Sequence, residues 1–200
     1  VFETCLDEGF RHFQGFWWNG TRVGSFTRRA PDGALFWQVG YPSQAEEAVA
    51  AGADVLVAQG TEAGGPVRTS LPVRELIRDL RAAVGDDIPL VAGGGLADGR
   101  DVADVLRAGA HAALLGTRFL LTDESDAPAR DKGRLLRARS EDLILDPCLR
   151  GAWPCDPRRR MATPWGEDAP SLFAGTGVPR ISSIRPAAAV LRDLRPRRAV

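Results

Sequence analysis

The sequence predicts a parallel α/β protein, either an open doubly wound sheet or a (β/α)8 barrel. Three observations predict it. From residue 34 onward, short apolar runs alternate with helical stripes. The runs are continuously apolar, as strands of a parallel sheet covered on both faces should be. Each run also ends in small or polar residues, at the strand end where such folds bind ligands.

The elements follow in order. "ALFWQVG" (34–40) is the first run. "SQAEEAVAAG" (43–52) reads as a helix: Ser43 and Glu46 have capping-box spacing, Ala45, Ala48 and Val49 make an apolar face, and Gly52 stops it. "ADVLVAQG" (53–60) is the second run. The next helix, 71–84, sets Val73, Leu76, Ile77, Leu80 and Val84 on one stripe. "IPLVAGGG" (88–95) is the third run. The helix at 99–109 turns Val102, Val105 and Leu106 inward, and "HAALLGTRFLL" (111–121) is the fourth run. Residues 1–33 are unclear. "FQGFWWNG" there is either a fifth strand or a loop, and Gly20, Gly24, Pro31 and Gly33 give the stretch a loop-like character. After residue 122 the repeat ends. One further helix is expected at 128–140, followed by an irregular extension rich in Arg and Pro.

The strand ends carry Gln38-Val39-Gly40, Gln59-Gly60, Gly93-Gly94-Gly95 and Gly116-Thr117. Glycines let backbone N–H groups approach an anion closely, and helix N-termini add positive partial charge. Barrels place their usual phosphate site in the loops after strands 7 and 8. If the third and fourth runs are those strands, residues 93–95 and 116–117 form a phosphate cup.

Composition narrows the classes. The 200 residues are 44% hydrophobic with zero formal net charge, which suits one ordinary domain or part of a larger one and steers nothing toward nucleic acid or membranes. Of the 26 basic residues only Lys132 is lysine. Residues 150–200 hold ten arginines against four acids, Asp156, Glu167, Asp168 and Asp193. A solvated basic tail lying on an acidic body explains that better than a phosphate grip, since no aromatic residues interleave the charges. Cys5, Cys148 and Cys155 are odd in number and lack C-x-x-C spacing, so no zinc site or disulfide framework is expected and a reducing, cytoplasmic setting is. No apolar run reaches the roughly 18 residues of a membrane span. "NGT" at 19–21 fits a glycosylation sequon, a match common by chance.

"GADVLVAQGTEAGG", "PLVAGGGLADGRDVADVLRAGA", "LLGTRFLLTDES" and "RGAWPCDPRR", in that order, resemble the flavin-dependent nitronate monooxygenases, formerly called 2-nitropropane dioxygenases. The similarity runs from about residue 34 to 160. A flavin-type enoyl-acyl-carrier-protein reductase family shares the first three pieces; the fourth, around Trp153-Pro154, favours the monooxygenases. The resemblance implies the later βα units of a (β/α)8 barrel, with FMN held non-covalently at its mouth within residues 34–121. It implies that Gly93, Gly94, Gly95, Gly116 and Thr117 hold the flavin phosphate, that Gln38 contacts the flavin, and that Gln59 and Gly65 lie beside its ring. The implied reaction takes an alkyl nitronate and oxygen to a carbonyl compound and nitrite.

Two departures stand out. The family loop reads E-A-G-G-H, with the His as active-site acid/base, and here that position is Pro66. Proline has no titratable group. Glu62 is the nearest alternative in sequence, and its expected role is structural, accepting backbone N–H bonds in the loop. His111 should lie at the opposite end of its strand from the site, and His12 falls in the unclear segment. The second departure is length, because a full barrel needs eight strands and about 250 residues. The chain, which opens at Val1 without Met, is therefore expected to be a fragment, a truncated product, or a half-barrel that completes itself with a partner, and self-association is expected. The other functional readings are the enoyl reductase and a non-catalytic half-barrel that binds a phosphorylated ligand.

Overall fold

The computed structural model describes residues 2–16, 32–146, 157–162 and 172–195. Cys148, Cys155, the 19–21 sequon and Trp153-Pro154 lie outside the described residues.

The helices are α1 (Phe2–Asp7), α2 (Pro42–Ala50), α3 (Val73–Val84), α4 (Gly99–Arg107), α5 (Thr117–Leu120), α6 (Ala129–Leu136) and α7 (Ala187–Leu194). The strands are β1 (His12–Phe16), β2 (Ala34–Val39), β3 (Val55–Gln59), β4 (Gly65–Pro66), β5 (Leu90–Gly93), β6 (Ala112–Leu114), β7 (Leu143–Asp146) and β8 (Arg158–Met161). Five strands pair side by side in the order β1-β2-β3-β5-β6, every pairing parallel. A doubly wound sheet reverses its strand order at a switch point. This one never reverses: each unit adds to the same edge, as in a barrel. The sheet is therefore a five-strand sector of a (β/α)8 barrel.

One face of the sector carries the core. Leu35, Trp37 and Val39 of β2, Leu56 and Ala58 of β3, and Leu90 and Ala92 of β5 pack against Ala45 and Ala48 of α2 and Leu76, Ile77 and Leu80 of α3. Leu76, Ile77 and Leu80 are wholly buried, each contributing about 1.5–3 kcal/mol. Gly15 belongs to β1 because the Trp37 ring fills the space where a Cβ would stand.

The other face is covered less completely. Strand β2 alternates between buried and half-buried residues, with Phe36 and Gln38 on its second face, and Phe16 and Leu114 at the two sheet edges are 38% and 45% exposed. The expectation of strands covered on both faces holds for the helix side of the described residues alone.

One open reading of the expected elements is decided, and three expectations are corrected. "FQGF" lies in a strand, which makes five parallel strands among the described residues. The fourth run divides: β6 stops at Leu114, and Gly116 starts α5, because its N–H-accepting carbonyl receives Phe119 N at 2.9 Å. The Ser43–Glu46 capping box does not form. Pro42 takes the first helical position, which shifts Ser43 inside the helix, and the cap residue, Tyr41, makes no side-chain cap bond. Val49 is 38% exposed and leaves the inner face of α2 to Ala45 and Ala48.

The expected irregular extension is more ordered than its composition suggests. Strands β7 and β8 form a small antiparallel sheet with β4. A second core cluster joins Leu121, Leu135 and Met161 to Ala174, Val178 and Ile181. A third packs Val190 and Leu194 of α7 on Val102 of α4.

Candidate functional site

A cavity of about 380 Å³ opens at the carboxyl ends of the parallel strands. That volume falls within the usual small-ligand range of roughly 300–1,000 Å³. Parallel pairing brings Gln38, Gln59 and Gly93 to the same end of three strands, and the loops beyond add Gly94, Gly116 and Thr117 to the lining. Ala63, Gly64, Leu114, Leu120 and Phe173 complete much of the wall. Gly65 and Gly95 stand beside the cavity, off its lining.

The two glutamines are held differently. Gln59 donates its Nε2–H to the Pro66 carbonyl at 3.0 Å, while its Oε1 is buried with no hydrogen-bond partner. A buried acceptor without a donor is costly. Its place in the cavity wall suits a ligand that brings an N–H or O–H. Gln38 Oε1 accepts from Gln14 Nε2 at 3.4 Å, which leaves the Gln38 amide as a donor. Together they offer one acceptor and one donor, the pattern an imide edge such as that of a flavin ring requires. The glycines add close backbone approach at the cavity's other end. The residues present thus fit a flavin.

Gly95 does something else. Its φ is +67°, and a Cβ there would lie 2.7 Å from both Glu62 Cβ and Thr176 Oγ1. A strap from Phe173 to Gly177 returns from the C-terminal segment and lies backbone against backbone on the two loops. A Cβ on Gly64 would lie 2.6 Å from the Ala174 carbonyl carbon, and one on Gly175 would lie 2.9 Å from the Glu62 carbonyl oxygen. Thr176 N donates to Glu62 O at 2.9 Å, and Gly175 N donates to Thr117 Oγ1 at 3.0 Å. The strap supplies Phe173 to the cavity, a residue that sequence reasoning missed. The available signal was "FAGTG", a second pair of closely spaced glycines.

Glu62 turns away from the cavity. Its carboxylate accepts Val73 N at 3.0 and 3.2 Å and so caps α3, whose cap residue, Pro72, offers no side-chain bond. Gly60 leaves room for that carboxylate. Arg159 braces the loop by donating to Thr61 O at 2.8 Å. Burial raises the Glu62 pKa above 4.5; its backbone bonds, Arg159 and Arg74 oppose this but do not overcome it. A raised acid pKa means that the folded state binds the proton more tightly than the unfolded one, so this group's contribution falls as pH rises from 4.5 through the folded value. Glu62→Gln keeps an acceptor for Val73 N and removes the charge. Denaturant midpoints measured from pH 4 to 8 should therefore move in the variant's favour relative to the parent as pH rises.

The histidines stand apart from the cavity. His12 pairs with Ala34 at the start of β1, four residues before Phe16, which pairs with Gln38. At about 3.3 Å per residue that is roughly 13 Å below the strand ends. His111 precedes β6, and its Nδ1 accepts from Arg81 Nη2 at 2.8 Å and from Leu90 N at 3.3 Å. Arg81 also donates to the carbonyls of Gly85, Ile88 and Gly109, so this histidine belongs to a brace at the far end of the sheet. Pro66 lies in β4, paired with Arg158. Among the described residues that line the cavity, none carries an ionisable side chain.

A singly wound parallel sheet with a ligand-sized cavity at its strand ends is the architecture of the (β/α)8 barrel enzymes. Residues 32–165 match the nitronate monooxygenase family model, and the chain belongs to that family of oxidoreductases. It is 40% identical over 100 residues to a nitronate monooxygenase of Neurospora crassa, covering 47% of this chain and 26% of that protein. It is 42% identical over 110 residues to a (3aS,4S,5R,7aS)-5-hydroxy-7a-methyl-1-oxo-octahydro-1H-indene-4-carboxyl-CoA dehydrogenase of Mycobacterium tuberculosis, covering 54% and 30%. The chain thus spans about a third or less of the length of these curated relatives. Among solved structures, nitroalkane oxidase from Streptomyces ansochromogenes superposes with a TM-score of 0.78 at 28% identity, covering 96% of this chain and 65% of that one. FabK from Thermotoga maritima superposes with a TM-score of 0.85 at 24% identity, covering 96% and 69%, a likeness of fold alone. Among the described residues no helix is long and apolar enough to cross a membrane.

Proposed function

We propose that this chain carries the FMN site of a nitronate-oxidising enzyme, one that takes an alkyl nitronate and oxygen to a carbonyl compound and nitrite. The observation that carries the reading is the unpartnered Gln59 Oε1 in the wall of a strand-end cavity that also presents Gly93, Gly94, Gly116 and Thr117. When bound, the flavin supplies the electron acceptance and oxygen chemistry. The chain's own residues bind and orient. Gln59 and Gln38 present an acceptor and a donor to the ring edge. The glycines admit the phosphate, and Thr117, whose oxygen already takes the Gly175 N–H, has its hydroxyl proton left to donate. Leu114, Leu120 and Phe173 narrow the water's access to the cavity. The described lining holds no ionisable side chain to take a carbon-bound proton, so it suits a substrate that arrives as the anion.

Flavin binding tests this reading. A Cβ on Gly116 would meet nothing within 4 Å. Gly116→Val should therefore fold as the parent does while filling the cavity wall, and FMN affinity, followed by flavin fluorescence, should fall roughly 100-fold, the loss of about 2.7 kcal/mol of phosphate contacts. Equal FMN affinity in the folded variant would remove the site assignment. Reduction of the bound flavin by a nicotinamide dinucleotide, with no nitrite formed, would favour the enoyl reductase. A protein that never takes up flavin would be the phosphorylated-ligand half-barrel. Self-association, proposed from the exposed inner face, is read by sedimentation of the same samples.

A further inference from the structure

A second cavity, of about 190 Å³, lies on the other side of α5. Thr117 lines the first cavity, and the next residue, Arg118, lines the second. Arg118 is only 6% exposed. Among the described residues no carboxylate stands within ion-pair distance of it. Its guanidinium donates from Nη1 to the Ser183 carbonyl at 3.1 Å, which uses one of five N–H donors. The other two arginines on the lining are already matched, Arg180 by Asp98 and Asp101, and Arg185 by Asp193. Arg118 is therefore the one arginine on the described lining without an ion-pair partner. Desolvation and then the neighbouring Arg185 lower its pKa, with Asp193 opposing them. A buried charge without a counter-ion is costly, and an anion in the cavity would relieve that cost.

We propose that the cavity bounded by Arg118, Ser182, Ser183 and Gly99 is a binding site for a phosphoryl-sized oxyanion, separate from the strand-end cavity. Its lining comes from three elements. Arg118 enters from α5, Ser182 and Ser183 from the segment before α7, and Gly99 from the first residue of α4. Donors converging from several elements suit a tetrahedral oxyanion, whose oxygens diverge. A planar carboxylate would be satisfied by one edge of the guanidinium alone. The carboxylates on the rim, Asp98 and Asp193, are engaged by Arg180 and Arg185, which limits their repulsion of the incoming anion. The site stands independently of the flavin reading.

The test titrates inorganic phosphate into the full chain at constant ionic strength, with thermal unfolding and phosphorus-31 line width as readouts. Phosphate should raise the melting temperature, and chloride at matched ionic strength should not. Arg118→Met should weaken phosphate binding roughly 10-fold or more, the loss of one charge-assisted hydrogen bond. Ser182→Asp, at an exposed position that does not threaten folding, should do the same by placing a carboxylate in the cavity. Repeating the titration with FMN or riboflavin present identifies the source of the anion. A response that persists under saturating FMN assigns the site to free phosphate. A response abolished by FMN and kept with riboflavin would place the phosphate in the strand-end cavity and overturn the proposal. A phosphate response in Gly116→Val that has lost FMN keeps this site apart from the flavin site. An unchanged phosphate response in both Arg118→Met and Ser182→Asp, or an equal response to chloride, overturns the proposal.

Discussion

Replacing Pro66 with histidine is expected to raise the turnover of neutral nitroalkanes by about 10²–10⁴-fold, the usual contribution of a positioned general base. Turnover of the matching nitronates should rise far less, because a nitronate has already lost the proton in question. The position is suitable. The Pro66 carbonyl takes the Gln59 Nε2–H at 3.0 Å, so a side chain there begins beside a residue of the cavity wall. The candidate substitutes among the described residues lie elsewhere: Glu62 is committed to the N-terminus of α3, and both histidines lie toward the opposite end of the sheet. The measurement compares each nitroalkane with its nitronate in parent and Pro66→His proteins of equal flavin content, across pH. A gain confined to the nitroalkane, with a new inflection in the imidazole range near 6.5, identifies the base. Equal gains on both substrates would point to loop geometry instead. No gain in flavin-loaded protein would show that the catalytic arrangement needs more than this residue.

Gly177→Val should be the most damaging single change in the strap. A Cβ at residue 177 would fall on the Gly95 carbonyl oxygen, a backbone atom that cannot rotate aside. Relief requires moving either the strap or the loop after β5. Overpacking of this kind costs about 3 kcal/mol, which for a chain of this size lowers the melting temperature by roughly 6–12 °C. Flavin affinity should fall with it, because the strap also carries Phe173 and the Gly175–Thr117 bond. Gly116→Val is the internal control, losing ligand without losing stability. A Gly177→Val protein that melts with the parent would mean that the strap does not pack on these loops in solution.

The legible part of the fold was the part with a local period. The stripe Val73, Leu76, Ile77, Leu80 reads directly as the buried face of α3, and the positive-φ Gly52 ends α2 as its position suggests. Strand ends placed Gln38, Gln59, Gly93, Gly94, Gly116 and Thr117 on one rim because parallel strands all finish on the same side. Reading failed where a neighbour overrode a local signal. Pro42 displaced the Ser43–Glu46 cap, and Gly116 cut an apolar run into a strand and a helix. The strap was invisible for a different reason. Its packing is backbone on backbone between glycines far apart in sequence, and such contacts leave no periodic trace. The "GGG" after β5 illustrates the consequence: Gly94 lines the cavity, while Gly95 serves the strap.

That division of labour also sets an order of events during synthesis. The five described parallel strands have all been made by residue 114, and each after the first pairs with one already present. The Thr117–Gly175 bond spans 58 residues. At about 5–20 residues per second, the ribosome needs roughly 3–12 s to add that length. Throughout that interval the rim glycines are present and the strap that seats on them is not. On the proposed reading, the strand-end cavity of a nascent chain is unroofed for seconds, and lasting flavin retention should begin only once Phe173–Gly177 have emerged.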